Sequence, residues 1–136
     1  MIVSNEDLLG QLGRLNRTFE AAGDAGVYLV SMGPGQPPCA LHLSPPVLVA
    51  QVQVGAAPKQ DDPASARFFR RLLELNATGL LHAAFALEAD QVVLTAALAL
   101  ENLDINELEA VLGDFDMALG EHVPALSLLS KGLGAR

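Results

Sequence analysis

The stretch Leu80-Leu-His-Ala-Ala-Phe-Ala-Leu-Glu-Ala-Asp-Gln-Val-Val-Leu-Thr-Ala-Ala-Leu-Ala-Leu100 decides the fold. Leu81, Phe85 and Leu87 alternate with His82, Ala84 and Ala86; Val92, Leu94, Leu98 and Leu100 then alternate with Val93, Thr95, Ala97 and Ala99. A period of two belongs to a strand, whose successive side chains point to opposite faces. The two runs, Leu80–Glu88 and Gln91–Leu100, meet at Ala89-Asp90 and so read as a hairpin. One face of the hairpin is large and apolar. The other is made of Ala84, Ala86, Ala97 and Ala99, where a solvated strand face would carry Lys, Glu or Thr. Two readings of that small face stand together: close approach by a second copy of the chain, or a helix of the same domain packed on it.

Working outward, the period changes to that of a helix on both sides. Before the hairpin, Asp62 suits an N-cap and Pro63 the first helical position, and the helix runs to about Asn76. Its polar face is Arg67, Arg70, Arg71 and Glu74. Its apolar face combines Phe68, Leu72 and Leu75 with Phe69 and Leu73. At about 100° per residue that arc spans about 160°, whereas a helix lying on one sheet needs only about 100°. A second surface is therefore expected to cover this helix. After the hairpin, Asp104 with Glu107 forms a capping box. Leu108, Val111, Leu112, Phe115 and Leu119 then draw one stripe, which Pro124 should break or kink.

Upstream lie three short extended runs, Val27–Met32, Cys39–Ser44 and Val47–Val54, each ended by Gly or Pro. Connections this short favour an antiparallel meander. Leu8, Leu12, Leu15 and Phe19 recur at helical spacing and predict a first helix over residues 5–21, capped by Ser4 and stopped by Gly23 and Gly26. The reading is α+β: a single domain over residues 1–131 in the order α-β-β-β-α-β-β-α, a twisted antiparallel sheet packed against helices. Residues 132–136 are expected to be a frayed tail.

Composition narrows the function. Apolar residues make up 51% of the 136, enough for a full core and too many for a disordered chain. No apolar run approaches the roughly 20 residues that span a bilayer, and Met1–Asp7 lacks the basic and apolar parts of a signal peptide. A cytoplasmic location is the expectation. The net charge is −8, and between Glu88 and Glu121 nine acids meet no Lys or Arg. Nucleic acid is a poor partner for such a surface, because phosphate binding needs bases. An acidic face could instead select basic partners.

Chemistry-bearing motifs are missing. There is no nucleophile elbow, zincin helix or phosphate-binding loop. Gly33-Pro34-Gly35 reads as a turn. His42, His82 and His122 lack metal-ligand spacing, and the single Cys39 sits in an apolar run without a basic neighbour to activate it. No catalytic, cofactor or metal site is expected. Short strands and amphipathic helices do leave sheet edges and apolar grooves, which suit an extended peptide.

The element order now joins with local sequence. Phe69-Arg-Arg-Leu-Leu-Glu-Leu-Asn-Ala77 followed by Gly79, the hairpin segment Phe85–Leu94, and Leu100-Glu-Asn-Leu-Asp-Ile-Asn-Glu-Leu108 resemble the class I type III secretion chaperones (the CesT-type Tir-chaperone family) and the related YbjN-like proteins. The likeness is good over about residues 64–120 and topological before that. It implies a non-enzymatic homodimer that needs no cofactor and holds an extended segment of a secreted effector or other protein. The YbjN-like branch would give an interaction or regulatory protein of the same fold without a secretion role. The expected partner-binding residues are Leu12, Val27, Leu29, Leu41 and Val49. The expected dimer contacts are Phe68, Leu72, Leu75, Ala84 and Ala97.

Overall fold

The structure is a computed structural model and describes residues 4–15, 17–23, 26–59 and 61–130. The chain runs α1 (Asn5–Leu12), β1 (Phe19–Ala21), β2 (Val27–Val30), β3 (Cys39–Ser44), β4 (Val47–Ala56), α2 (Pro63–Thr78), β5 (Ala84–Glu88), β6 (Gln91–Ala99), α3 (Ile105–Met117) and α4 (Val123–Ser130). A π-helical turn, Ala118–His122, joins α3 to α4. The α+β class and the order read from the sequence are observed, with one short strand and a short final helix in addition.

That strand comes from the expected first helix. The helix stops at Leu12, where Gly13 caps it through its N–H to the Leu9 carbonyl, and one tight turn carries the chain on to Leu15. Leu8, Leu12 and Leu15 all enter the core as the helical stripe implies. Phe19 reaches the core from β1 instead. Thr18 and Phe19 favour strand, and the waiting edge of β2 outweighs the weak helix propensity of a segment holding Gly10 and Gly13. The expected tail, residues 132–136, lies outside the described residues.

The sheet order is β1-β2-β3-β4-β6-β5, antiparallel throughout. Its inner face carries Val30, Cys39, Leu41, Leu48, Ala50, Val52, Leu94 and Phe85. These pack with Leu8 and Leu12 of α1, Phe68, Leu72 and Leu75 of α2, and Leu108, Leu112 and Phe115 of α3 in one core. All three predicted caps are present: Ser4 Oγ accepts from Asp7 N–H at 3.2 Å, Asp62 from Ser65 N–H at 2.8 Å, and Asp104 from Asn106 N–H at 3.0 Å. The hairpin turn is the expected Ala89-Asp90, with positive φ at Ala89. Gly33-Pro34-Gly35 forms the expected turn, closed by Gln36 N–H to the Gly33 carbonyl, with positive φ at Gly35.

The other face of the sheet is not part of this core. By register it presents Glu20, Val27, Leu29, Ala40, His42, Val49, Gln51, Val93, Thr95 and the four alanines Ala84, Ala86, Ala97 and Ala99. The helices' buried residues join the inner face, so the reading in which a helix covers the small hairpin face does not hold among the described residues.

Candidate functional site

The two edges of the sheet differ. At the β5 edge, Asn76 of α2 binds both backbone groups of Phe85. Just before it, the Asp114 carboxylate of α3 accepts the N–H groups of Leu81, His82 and Ala83. The helix layer therefore satisfies the outward-facing groups of Phe85 and of the residues that lead into β5, which blocks strand pairing along that part of the edge.

At the β1 edge the pattern is open. The bonds Ser31 N–H to Thr18 C=O and Ala22 N–H to Val27 C=O set the alternation between β1 and β2. Glu20 opposite Leu29 then faces inward with its backbone, and Phe19 and Ala21 turn theirs outward. Among the described residues nothing binds those outward groups. Two cavities lie here, one on each side of the sheet: the helix-side one just before the start of β1, the outer one over β1 itself. The helix-side cavity, about 620 Å³, lies among Leu15, Arg17, Met32 and Glu109. The outer one, about 310 Å³, lies among Phe19, Glu20, Leu29, Gln36 and Pro38. Arg17 holds this edge to the helix layer by a two-pronged ion pair with Asp116 of α3.

Leu29 and Pro38 also line a further open cavity of about 490 Å³, which crosses the outer face past Ala40 and Gln53 to Gln91. The loop holding Pro37 and Pro38 forms its wall. Its floor is apolar and its rim is amide side chains, which can bond a peptide backbone.

The sequence-derived partner residues divide between the two faces. Leu12 and Leu41 have no exposed surface and belong to the core, so no partner reaches them. Helical spacing and strand alternation mark them as apolar but do not say which strand face is inner. Val27, Leu29 and Val49 are half-buried on the outer face, and Leu29 lines both outer cavities. The dimer residues divide likewise. Phe68, Leu72 and Leu75 are buried against the sheet, while Ala84 and Ala97 lie on its opposite face, so the five share no surface.

What the 160° arc of α2 does provide is a second stripe. Leu73 is 70% exposed and Phe69 half-buried; with Leu87, 54% exposed, they border a groove of about 330 Å³ beside the β5 edge. Arg70 and Arg71, loosely paired with Glu74, rim the helix there.

The titratable groups offer little to catalysis. Burial pushes the Cys39 thiol up to about 12, so it is no nucleophile at neutral pH. His42 and His82 are exposed, and His122 Nε2 sits 3.2 Å from the Gly79 carbonyl at the end of α2. Among the described residues no group of three or more His, Cys, Asp or Glu could hold a metal ion, and no helix is long and apolar enough to cross a membrane.

The family model CesT_Tir_1 matches residues 4–132. This chain belongs to the CesT_Tir_1 family. Its fold is also that of two solved structures. The heterodimeric complex ExoU–SpcU, from the type III secretion system of Pseudomonas aeruginosa, gives a TM-score of 0.62 at 16% identity over 76% of this chain and 85% of that chain. YbjN from E. coli gives a TM-score of 0.65 at 12% identity over 91% of this chain and 95% of that chain. No curated protein sequence matches the chain. At such identities the two structures establish a shared fold, and the match to the family model establishes membership.

Proposed function

We propose that this CesT_Tir_1-family chain is a non-enzymatic chaperone of the cytoplasm that holds an extended segment of a partner protein, adding it as a further strand on β1. The observation that carries the reading is the open β1 edge, with a cavity on its outer side and a second on the helix side just before its start. A strand added there would send alternate side chains into the two cavities, while its backbone pairs with Phe19 and Ala21. The matching ExoU–SpcU structure, a heterodimeric complex from a secretion system, supports a secreted protein as the partner class. Two copies would join through Phe69, Leu73 and Leu87 at the other end of the sheet, leaving both β1 edges free.

The test uses Ala21→Pro. Proline lacks the N–H that an added strand would bind, and it is tolerated on an edge strand when that N–H faces outward. The native partner is captured from the host with the natural chain and its bound segment is mapped. Ala21→Pro should keep the unfolding midpoint and lose that partner. Equal capture by the variant, or a partner bound only through folded-domain contacts, would defeat the reading.

The broader coverage by YbjN favours a second reading, an interaction or regulatory protein of the same fold without a secretion role. Gene neighbourhood separates the two: a secretion chaperone should be encoded beside a secreted protein.

A further inference from the structure

Val93 is only 4% exposed although it lies on the outer face and outside the core cluster. Besides its register neighbours Gln53 and Ala86, a bond that crosses β6 lies over it. Gln51 is on β4 and Glu88 on β5, and β6 separates these strands. In register, Gln51 is opposite Thr95 and Glu88 opposite Gln91, so a bond between their side chains has to pass over Val93. That bond exists: Gln51 Nε2 donates to Glu88 Oε2 at 2.9 Å. The pair is a strap over an apolar side chain.

The strap pairs a carboxylate with a neutral amide. A cation offers that carboxylate a charge-assisted hydrogen bond, roughly twice as strong as a neutral one. Among the described residues the outer face carries Glu20 and Glu88 and, by register, no Lys or Arg to compete. A bare cation would uncover Val93, but a lysine or arginine would not. Its aliphatic stem can cover Val93 where the Gln51 side chain lay, while its head reaches Glu88. A path to this point starts at the open edge, because the cavity at β1 and the one that crosses to Gln91 share Leu29 and Pro38.

We infer that the partner segment, after pairing with β1, crosses the outer face and places a lysine or arginine on Glu88, displacing Gln51 and covering Val93. The added strand lies one spacing outside β1, so β6 is five strand spacings of about 4.8 Å, or about 24 Å, away from it, which about seven extended residues span. The basic residue is thus about seven positions beyond the strand-forming part. This inference rests on the edge-pairing reading above.

The probes are three synthetic peptides: an alternating Val/Thr strand, a six-residue Gly/Ser/Ala spacer, then Lys, norleucine or Glu. They are titrated at low salt into the isotopically labelled full chain, its Glu88→Gln variant and a Glu101→Gln control. Backbone amide shifts at Phe19 and Ala21 report edge pairing, and the Val93 methyl signals report the strap. The Lys peptide should bind about three- to fivefold tighter than the norleucine peptide, the scale of an exposed ion pair. The Glu peptide should be weakest. The Lys advantage and the Val93 shift should vanish in Glu88→Gln and survive in Glu101→Gln. Equal affinity for Lys and norleucine, or a Lys advantage that persists in Glu88→Gln, with edge shifts intact, overturns the inference and leaves edge pairing standing. Absence of shifts at Phe19 and Ala21 with all three peptides overturns edge pairing and the inference together.

Discussion

Asn76 acts on Phe85 as a neighbouring strand would: its Oδ1 accepts the Phe85 N–H at 2.7 Å and its Nδ2 donates to the Phe85 carbonyl at 3.0 Å. One side-chain amide thus completes the ladder at the middle of an edge strand. The same contact ties α2 to β5 and blocks a foreign strand from pairing with Phe85. Asn76→Ala leaves two partly buried backbone groups unpaired, at a cost of about 2–3 kcal/mol. The expected outcome is a lower urea midpoint together with concentration-dependent association, read by denaturation and light scattering. Asn76→Asp keeps the acceptor and loses the donor, so the carbonyl stays unpaired and part of the cost remains.

Asp114 makes the parallel bond one step earlier. Its Oδ2 accepts the N–H groups of His82 and Ala83, both at 2.8 Å, and that of Leu81 at 3.1 Å. The carboxylate is buried and all three donors converge on it. Asp114→Ala should destabilise the chain by about 3 kcal/mol, the upper range for a buried network that loses its acceptor. Asp114→Asn should lie between, because its amide nitrogen faces donors. Thermal denaturation of the two variants checks the ordering.

The hairpin turn has room for improvement. Ala89 holds φ at 53°, in the left-handed region that glycine enters without a clash. Ala89→Gly should stabilise the protein by about 1 kcal/mol, less the backbone entropy that glycine adds to the unfolded chain. A rise in the urea midpoint with unchanged slope is the expected readout.

Cys39 and Asp62 each give the stability a pH dependence with a definite sign. Burial raises the Cys39 thiol from its ordinary 9.0 to about 12. A raised value favours the protonated form, so the thiol's contribution is complete below pH 9 and lost as pH rises toward 12. Cys39 should therefore resist alkylation at pH 8 in the folded protein and react once urea unfolds it; equal rates in both states would show an exposed thiol. The Ser65 N–H lowers the Asp62 carboxyl below 3.8. Its capping contribution is present above that value and fades as pH falls through the lowered one.

How far the sequence spoke depended on what each signal encodes. Alternation over Ala84–Ala99 and the caps at Asp62 and Asp104 are local, so hairpin and helix starts were legible, whereas Leu80–Ala83, read as the start of the strand, turns to the Asp114 carboxylate and leaves Leu81 86% exposed. Phe19 was not, since its fourth-residue spacing fits a helix and only the edge of β2 turns it into strand. Leu41 and Leu29 look alike in sequence; which one enters the core depends on the face the helices cover. Asn76 and Asp114 read as ordinary polar positions on their helices. Their roles depend on a strand edge brought close only by the tertiary fold, nine and about thirty residues away in the chain.

The width of the apolar arc on α2 was legible, and its division is what the structure adds. Leu72 is 5% exposed and faces the sheet, whereas Leu73 is 70% exposed beside Phe69 and Leu87. The two neighbours should therefore answer differently to the same change. Leu72→Asp buries a charge without a partner and should unfold the chain. Leu73→Asp changes a surface position and should leave the fold, with its far-ultraviolet spectrum and unfolding midpoint near those of the natural chain. If two copies join through this groove, burying Leu73 contributes about 2 kcal/mol on each side, so the loss from both copies weakens association about a thousandfold. Sedimentation equilibrium at micromolar concentration should find a dimer for the natural chain and a monomer for Leu73→Asp. A natural chain that stays monomeric there, or a Leu73→Asp variant that dimerises as well as its parent, would place the contact elsewhere or remove it, and the small alanine face of the sheet would be the next surface to substitute.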